Sequence, residues 1–287
     1  LLLLVVGIGI VLYSRFIGTS VLVVKEYQIK NELFEKNFHG FKILHLSDIH
    51  YLTTIDYEDM KKVVNKINEI NPDMVVLTGD LLDETIEYSN KQIEALEELL
   101  SQIKVTTNKY AITGNHDIKK TEWETIIKNS GFVNLNDTYD FIYHGVGSPI
   151  MISGISSNLD SPEGIQTKIK PIEEKMDETL PAVDQNGKKL YTIHNPIYHI
   201  LMIHEPDYIE SINYHKFNLI LAGHSHNGQI RLPFIGGMMN PKGAKNYSSE
   251  EYTLDETKLF VSGGLGTSKI KYRFFNRPSI NLYRLSK

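Results

Sequence analysis

The hydrophobic pattern changes its period repeatedly after residue 40, as short apolar runs give way to amphipathic stretches. Residues 41–46, 74–77 and 110–113 are apolar runs of strand length, and apolar positions at helical spacing follow each of them. Such alternation is typical of strands that are joined by crossover helices. The first half of the chain therefore predicts three strand–helix units.

Residues that begin and end helices support the same division. A polar N-cap side chain satisfies backbone donors of the first turn, whereas glycine or an Asn-Pro pair stops a helix. The start signals are Asp56, the capping box of Ser89 with Gln92, and Thr121 with Glu124, and the stop signals are Asn71-Pro72 and Gly131. We expect one helix between each start signal and the next break in the pattern.

The second half of the chain predicts more strands around one weakly patterned segment. The apolar runs that predict strands lie at residues 141–155, 200–203, 219–222, 259–262 and 280–285. Residues 156–196 are polar, with one short helix expected near 172–180. We interpret this segment as an insertion into the strand pattern.

The N-terminus is more apolar than a globular domain requires. Residues 1–12 are all apolar or glycine, and Tyr13-Ser14-Arg15 follows them. The run is shorter than the roughly 20 residues that span a bilayer, and the chain begins without Met, so we expect further residues upstream. Residues 1–19 are predicted to be the remnant of a signal-anchor or transmembrane segment, with a buried helix or strand as the alternative. Residues 20–287 then form one domain that begins with a strand near 20–24.

Composition narrows the possible chemistry. The 287 residues carry a formal net charge of -5, and the pI is near 6.1, so no nucleic-acid partner is indicated. The chain contains no cysteine. This excludes disulfides, thiolate nucleophiles and cysteine-based zinc sites, and it leaves His, Asp, Glu and Asn as metal ligands.

Metal-competent residues directly follow five of the predicted strands. The five clusters are Asp48-Ile49-His50, Gly79-Asp80-Leu81-Leu82-Asp83, Gly114-Asn115-His116-Asp117, His204-Glu205-Pro206-Asp207 and Gly223-His224-Ser225-His226. Ligands of open α/β sheets bind at the carboxyl ends of strands, so these clusters can converge on one site. Residues two apart in an extended segment point the same way, which lets Asp48 with His50, and His224 with His226, direct two ligand atoms to one place. The glycines that open three of the clusters relieve steric limits where the chain must turn sharply.

Each cluster alone has a simpler explanation. An Asp-x-His pair is common on surfaces, a Gly-Asp pair after a strand is an ordinary turn, and a lone His204 is more often a hydrogen-bonded histidine than a ligand. The Gly-His-Ser-His cluster is more specific, because two imidazoles at alternate positions beside glycine are frequent in metal sites. The occurrence of all five clusters together favours one shared metal site.

The order of these motifs resembles the calcineurin-like metallophosphoesterase superfamily over residues 41–285. The strings LTGDLLD (77–83), AGHSHNGQIRLP (222–233) and GGLGTS (263–268) resemble its membrane-associated, YkuE-like bacterial branch. The resemblance implies an α/β fold, a four-layer α/β/β/α sandwich of two mixed sheets flanked by helices, with residues 20–287 as the metallophosphoesterase catalytic domain. It also implies a bacterial protein that is associated with the cell membrane.

Carried onto the matching positions, the resemblance implies a pair of divalent metal ions, for which manganese, zinc and iron are all suitable. Asp48, His50 and His226 would bind one ion, Asn115, His204 and His224 would bind the other, and Asp80 would bridge the two. A water between two such ions loses a proton near neutral pH and attacks phosphorus in line with the leaving oxygen.

The resemblance gives His116 a role other than metal binding. His116 would protonate the leaving oxygen or stabilise its developing charge, and Asp83 would orient the His116 ring. Asp117 would hold either the turn or a metal-binding histidine. The basic and aromatic segment 269–277 has two interpretations, namely contact with a phosphate or an anionic membrane, and an edge strand with a solvated basic face.

These roles predict hydrolysis of a phosphodiester or pyrophosphate bond in a lipid-linked or cell-envelope substrate. Proteins that resemble the YkuE-like branch include phosphodiesterases and enzymes that cleave UDP-2,3-diacylglucosamine. One alternative is a phosphomonoesterase or nucleotidase with the same site. Another is a metal-binding scaffold without catalysis, which has no need of His116 and Asp83.

Overall fold

Five helices and sixteen strands make up the fold, which we describe from a computed structural model for all residues except 158, 160–163, 177, 185, 194–196, 233, 239 and 269. The helices are α1 (Leu2–Leu12), α2 (Tyr57–Ile70), α3 (Asn90–Ser101), α4 (Trp123–Asn129) and α5 (Ile165–Met176). The strands are β1 (Val23–Lys30), β2 (Lys42–Leu46), β3 (Met74–Thr78), β4 (Lys109–Ile112), β5 (Phe132–Asn134), β6 (Thr138–Ile142), β7 (Ile150–Gly154), β8 (Leu180–Val183), β9 (Lys189–Ile193), β10 (Tyr198–Met202), β11 (Leu219–Ala222), β12 (Arg231–Leu232), β13 (Gly236–Gly237), β14 (Glu251–Leu254), β15 (Thr257–Val261) and β16 (Ser279–Ser286).

Two of the three helix starts agree with the sequence. Asp56 accepts a hydrogen bond from Asp59 N at the start of α2, and the capping box of Ser89 with Gln92 is present at α3. The Thr121 prediction is wrong, because the Thr121 hydroxyl contacts the Glu122 carboxylate and α4 begins only at Trp123. Local propensity therefore placed this helix correctly but not its first residue.

The larger strands form two six-stranded mixed sheets. The first sheet has the order β1-β16-β2-β3-β4-β5, with β2 to β5 parallel to one another. The second sheet has the order β14-β15-β11-β10-β7-β6, with β15, β11, β10 and β7 parallel. Two short ribbons, β8-β9 and β12-β13, lie outside these sheets.

Three buried cores separate four layers. Leu44 and Leu46 of β2 face the core beneath α2, α3 and α4, whereas Ile43 faces the second sheet. This alternation follows from the two-residue period of a strand. The third core lies between the opposite face of the second sheet and α5, where Ile172 and Met176 pack. The predicted α/β/β/α sandwich is confirmed.

The segment expected to be an insertion contributes to the outer layer. Its helix α5 begins earlier than the predicted range 172–180 and packs on the second sheet through four buried apolar side chains. The β8-β9 ribbon is attached at the β6–β7 end of that sheet, where Tyr143 Oη donates to Pro181 O at 3.2 Å. The described part of this segment therefore mainly covers the second sheet.

The N-terminal apolar run forms helix α1, none of whose side chains is buried. A π-helical turn, Tyr13–Ile17, continues it, and β1 begins at Val23, within the predicted range 20–24, and extends to Lys30. Among the described residues, no helix combines the length and apolarity that crossing a membrane requires.

Candidate metal centre

The seven predicted metal ligands lie at the carboxyl ends of parallel strands from both sheets. The loops after β2, β3 and β4 of the first sheet and after β10 and β11 of the second sheet carry Asp48 and His50, Asp80, Asn115, His204, and His224 with His226, respectively. Because the sheets are stacked, these loops meet above the core that the two sheets share. The five clusters therefore come together as their positions after strands predicted.

Five of the seven candidate ligands have a left-handed backbone conformation, which is uncommon for residues other than glycine. The φ angles are 50° at Asp48, 44° at His50, 52° at Asp80, 66° at His224 and 45° at His226. Such conformations cost roughly 1–3 kcal/mol each and cluster where function requires them. The fold thus holds these side chains in one place at the expense of local backbone strain.

Two glycines allow the loops to approach this closely. A Cβ atom on Gly114 would lie 2.2 Å from Asp80 Oδ1, and one on Gly223 would lie 1.9 Å from Ser47 Oγ. Neither glycine has a positive φ, so their use here is close approach rather than a sharp turn. This refines the sequence interpretation, which attributed these glycines to turning the chain.

Asp48, His50 and His226 form the first donor group, with one ligand atom from each lying within 4.8 Å of the others. His226 Nε2 is 3.3 Å from His50 Nε2 and 3.6 Å from Asp48 Oδ1. The Asp48 carboxylate also accepts hydrogen bonds from His224 N at 3.0 and 3.1 Å, which fix its orientation.

Asp80, His204 and His224 form the second group at the same spacing. His204 Nε2 lies 3.2 Å from Asp80 Oδ2 and 3.2 Å from Asn115 Oδ1, which brings the predicted amide ligand into this group. Asp80 Oδ2 is also 3.6 Å from His50 Nε2 of the first group. One carboxylate therefore lies between the two donor groups.

Hydrogen bonds on the outer side of three imidazoles determine which nitrogen faces the site. His50 Nδ1 donates to Asp83 Oδ2 at 3.1 Å, His204 Nδ1 donates to Thr78 O at 2.7 Å, and His224 Nε2 donates to Lys242 O at 2.8 Å. In the neutral ring the other nitrogen then carries a free lone pair, as metal binding requires. With the buried carboxylates, this donor set fits divalent cations.

The charges of the site also suit a cation between the groups. Burial alone would raise the pKa of Asp80, but His204 and His50 hold that pKa well below its ordinary value. Burial opposes protonation of His204, yet Asp80 raises the His204 pKa well above its ordinary value. Burial lowers the pKa of His224 to about 3. A proton on His204 thus balances the negative charge of the Asp80 carboxylate. A metal ion can take the place of that proton.

Asp83 contacts a different histidine from the one that the resemblance implies. Its carboxylate is 3.1 Å from His50 Nδ1 but 3.8 Å from His116 Nδ1, which is too far for a hydrogen bond. The His116 Nδ1 atom instead accepts from Glu84 N at 3.3 Å. The prediction that Asp83 orients His116 is therefore corrected. Asp83 orients the candidate ligand His50, a contact that the resemblance did not imply.

His116 borders both donor groups. Its backbone N donates to Asp80 Oδ1 at 2.9 Å, and its ring lies 4.7 Å from the His50 ring, edge to face. Asp117 accepts from Gly114 N and Leu82 N, both at 2.9 Å. Asp117 was predicted to hold either the turn or a metal-binding histidine, and these contacts show that it holds the turn.

Arg273 is a residue of the site that the sequence pattern did not reveal. The side chain is fully buried, and Nη2 donates to the carbonyl oxygens of Gly263, Gly264 and Gly266. Gly266 N in turn donates to Asp48 O at 2.7 Å. Burial lowers the pKa of Arg273 to about 10, so the guanidinium is charged at neutral pH. Arg273 supports the loop beneath Asp48.

The structure limits one interpretation of segment 269–277 and contradicts the other. Arg273 cannot contact a phosphate or membrane at the surface, because it is buried, whereas Lys271 and Arg277 are exposed. The described residues 270–277 form no edge strand, since only an isolated bridge joins Phe274 to Ile230. Lys269 lies outside the described residues. Alternating basic and aromatic letters resemble a strand, but among residues 270–277 the buried side chains are Arg273 and Asn276, three positions apart.

A cavity of about 290 Å³ opens over the donor groups. Its floor includes Asp80, His116, His224 and His226, and its rim includes Gln229, Met238, Asn240, Pro241 and Ser268. An adjoining cavity of about 580 Å³ shares His116, His224, Pro241 and Ser268 with it and also reaches Asn115 and Lys271. From the segment 156–196, the described residue Leu159 lines this second cavity.

Comparison with known proteins gives consistent matches. Residues 41–228 match the family model described as calcineurin-like phosphoesterase. The chain is similar to the uncharacterized metallophosphoesterase YkuE of Bacillus subtilis (strain 168), with 30% identity covering 95% of this chain and 88% of that protein. It is 26% identical to the UDP-2,3-diacylglucosamine pyrophosphatase LpxG of Chlamydia muridarum, covering 86% and 84%. It is also 26% identical to the phosphodiesterase YaeI of Escherichia coli, covering 88% and 84%.

Proposed function

Because the chain belongs to the calcineurin-like phosphoesterase family and is a hydrolase of phosphoester bonds, we propose that it cleaves a phosphodiester or pyrophosphate bond in a lipid-linked or cell-envelope molecule. The family uses divalent metals, and the clustered His and Asp residues of this chain are able to bind them. In the proposal, Asp48, His50 and His226 hold one ion, Asn115, His204 and His224 hold the other, and Asp80 serves both.

The position of Asp80 is the observation that carries the proposal. Its Oδ2 atom lies 3.2 Å from His204 Nε2 and 3.6 Å from His50 Nε2, between two donor groups that each have further ligands. Burying a carboxylate without a compensating charge costs free energy. Two facing groups of histidines gain little free energy from sharing that carboxylate unless a cation is present. A pair of divalent cations, when bound, supplies Lewis acidity and lowers the pKa of water.

His116 acts on the leaving oxygen in this proposal. Because Glu84 N donates to His116 Nδ1, the neutral ring carries its proton on Nε2 and can donate a hydrogen bond that stabilises the charge developing on a leaving oxygen. Asp83 holds His50 in place, and Arg273 supports the loop beneath Asp48. These contacts keep the donor groups in position while the substrate binds and leaves.

The substrate class rests on three features. Met238 and Pro241 give the rim of the cavity apolar surface beside its polar floor, which suits a molecule with both characters. One relative is named for cleavage of an acylated sugar nucleotide, and another is named as a phosphodiesterase. The exposed apolar helix α1 supports a location at a membrane.

Hydrolysis of paired chromogenic substrates tests the reaction. We expect bis(p-nitrophenyl) phosphate to be cleaved faster than p-nitrophenyl phosphate, with activity lost on chelation and restored by manganese, zinc or iron. UDP-2,3-diacylglucosamine then tests pyrophosphate cleavage in an acylated molecule. A preference for the monoester would favour the phosphomonoesterase or nucleotidase alternative.

Metal content and turnover together provide the control. Activity that survives complete chelation would contradict the metal-dependent mechanism. Two bound metal ions without hydrolysis of any of the three substrates would favour the scaffold alternative.

A further inference from the structure

Acidic residues are unevenly distributed along the chain. None of the 35 Asp and Glu residues lies in residues 1–25, 211–249 or 257–287, although these segments make up about a third of the sequence. The same segments contain thirteen of the 30 Lys and Arg residues. A chain with a net charge of -5 therefore has three stretches that carry only positive charge.

The fold brings parts of these three segments together. Arg273 N donates to Ser14 O at 2.9 Å, and Arg231 N donates to Phe274 O at 2.9 Å. The rings of Tyr13 and Phe274 are in edge-to-face contact, with centroids 6.0 Å apart. The described residues of 13–18, 230–238 and 270–277 thus form one surface, which we call the acid-free face.

Large apolar side chains project from this face. Phe234 is fully exposed, Ile235 is 72% exposed, and Phe275 and Phe16 are 63% and 61% exposed. Phe234 and Phe275 also have left-handed φ angles of 68° and 48°, for which glycine or asparagine is less costly. Neither burial within the chain nor the backbone preference of phenylalanine explains why Phe234 and Phe275 occupy these turns. We therefore look for a binding partner that these side chains contact.

The chemistry of the face indicates what that partner is. The half-buried Arg15 and the exposed Lys271 and Arg277 accompany the exposed apolar residues, and the three segments themselves contain no carboxylate. Basic residues around protruding aromatic and aliphatic side chains complement a layer with anionic headgroups over an apolar interior. Helix α1, with no buried side chain, leaves the domain at the same face through the turn that contains Ser14.

We infer that the acid-free face docks on an anionic phospholipid bilayer, with Phe234, Ile235 and Phe275 entering its interfacial region. This contact is separate from any anchoring by α1, since it belongs to the folded domain. It would hold the domain in one orientation rather than only tethering it.

The docked orientation places the metal cavity next to the lipid. Gln229 Nε2 donates to Ile270 O at 2.7 Å and to Tyr272 O at 3.1 Å, and Gln229 also lines the cavity with Met238. The rim of the cavity is therefore continuous with the acid-free face. This route for an amphiphilic substrate rests on the proposed function, whereas docking itself does not.

A tryptophan reporter in the 287-residue chain tests the inference. The chain has one tryptophan, Trp123, which is buried and gives a constant background. Phe234→Trp is compared with Tyr191→Trp, a matched aromatic position that is 52% exposed on the β8-β9 ribbon at another edge of the molecule. Each variant is mixed with phosphatidylglycerol–phosphatidylcholine vesicles, with or without brominated acyl chains, and with phosphatidylcholine vesicles alone.

We expect only Phe234→Trp to shift to the blue and to be quenched by brominated lipid, because interfacial side chains lie roughly 5–10 Å into the headgroup and acyl boundary. The response should require the anionic lipid and weaken in high salt. Equal responses from both variants, or an unchanged Phe234→Trp spectrum with vesicles present, would overturn the inference. A blue shift that follows protein concentration without lipid would overturn it in favour of a second copy of the chain.

Diester hydrolysis measured on the same samples separates this result from the proposed function. Lipid quenching without hydrolysis would contradict the proposed function alone. Metal-dependent hydrolysis without lipid quenching would contradict docking alone.

Discussion

The metal centre and the acid-free face depart from ordinary protein composition in opposite directions. At the metal centre, carboxylates and imidazoles are buried where apolar residues are usual, and contacts within the chain hold them, such as Asp83 with His50 and Thr78 with His204. At the acid-free face, Phe234 and Phe275 are exposed on strained turns. Internal partners explain the first region, whereas for the second we infer a partner outside the chain.

Polar side chains that are unusually buried and apolar side chains that are unusually exposed therefore need different experiments. A substitution at the metal centre should change metal content or turnover and leave lipid contact unaltered. A substitution at the acid-free face should do the reverse. Residues that couple the two regions should disturb both, and the variants below are ordered from the largest expected effect to the smallest.

Asp80→Ala should have the largest effect, because one carboxylate contacts both donor groups. We expect loss of bound metal by elemental analysis and a fall in diester turnover on the order of 1,000-fold, since the metal pair supplies several kcal/mol of transition-state stabilisation. Asp255→Ala is the matched control, because Asp255 is exposed. Normal turnover in Asp80→Ala would refute the assignment of Asp80.

His116→Ala should lower turnover by about 100-fold, in the range typical of a lost hydrogen-bond donor to developing charge. Metal content should stay close to that of the unmodified chain, since Asp80, His50 and the remaining donors are retained. Parallel measurements of metal content and kcat check both statements. Loss of metal equal to that in Asp80→Ala would make His116 a ligand instead of a hydrogen-bond donor.

Arg273→Met should lower the free energy of unfolding by about 3 kcal/mol, because three glycine carbonyls lose a charged donor in a buried site. Chemical denaturation measures this change. Arg284→Met is the control, since Arg284 contacts Glu26 at the surface and such pairs contribute about 1 kcal/mol or less. Similar losses of unfolding free energy in both variants would show that Arg273 contributes no more than a surface ion pair does.

Asp83→Asn should reduce metal affinity by about 10-fold, as is typical when the hydrogen-bond partner of a metal-binding histidine is altered. The structural reason is that Asp83 Oδ2 accepts from His50 Nδ1. Metal titration followed by turnover at saturating metal separates two possibilities. Unchanged metal affinity with reduced turnover would return Asp83 to the role of orienting His116.

The double variant Phe234→Ser/Ile235→Ser should leave stability within about 0.5 kcal/mol, because exposed side chains away from packed features contribute little. Hydrolysis of a soluble diester should be unchanged. Sedimentation with anionic vesicles should show affinity reduced on the order of 10-fold, as two apolar side chains leave the lipid interface. The double variant Leu190→Ser/Tyr191→Ser, on exposed apolar positions of β9, should bind vesicles normally.

The sequence by itself determined the order of elements and the identity of the converging residues. Strand and helix periods are local properties, so β2, β3 and β4 and the caps at Asp56 and Ser89 could be predicted with small errors in their bounds. Polar clusters that follow parallel strands lie at the carboxyl edge of their sheet, so the positions of the seven candidate ligands favoured one site, and the resemblance divided them between two ions.

Only the tertiary structure decided which side chain contacts which. Asp83 pairs with His50 instead of His116, and Arg273 is buried under the Asp48 loop instead of facing solvent. These contacts join residues far apart in the chain, so the local periodicity of the sequence does not determine them. The acid-free face has the same origin, since three segments that lack carboxylates become one surface only when folding places Ser14, Arg231 and Phe274 side by side.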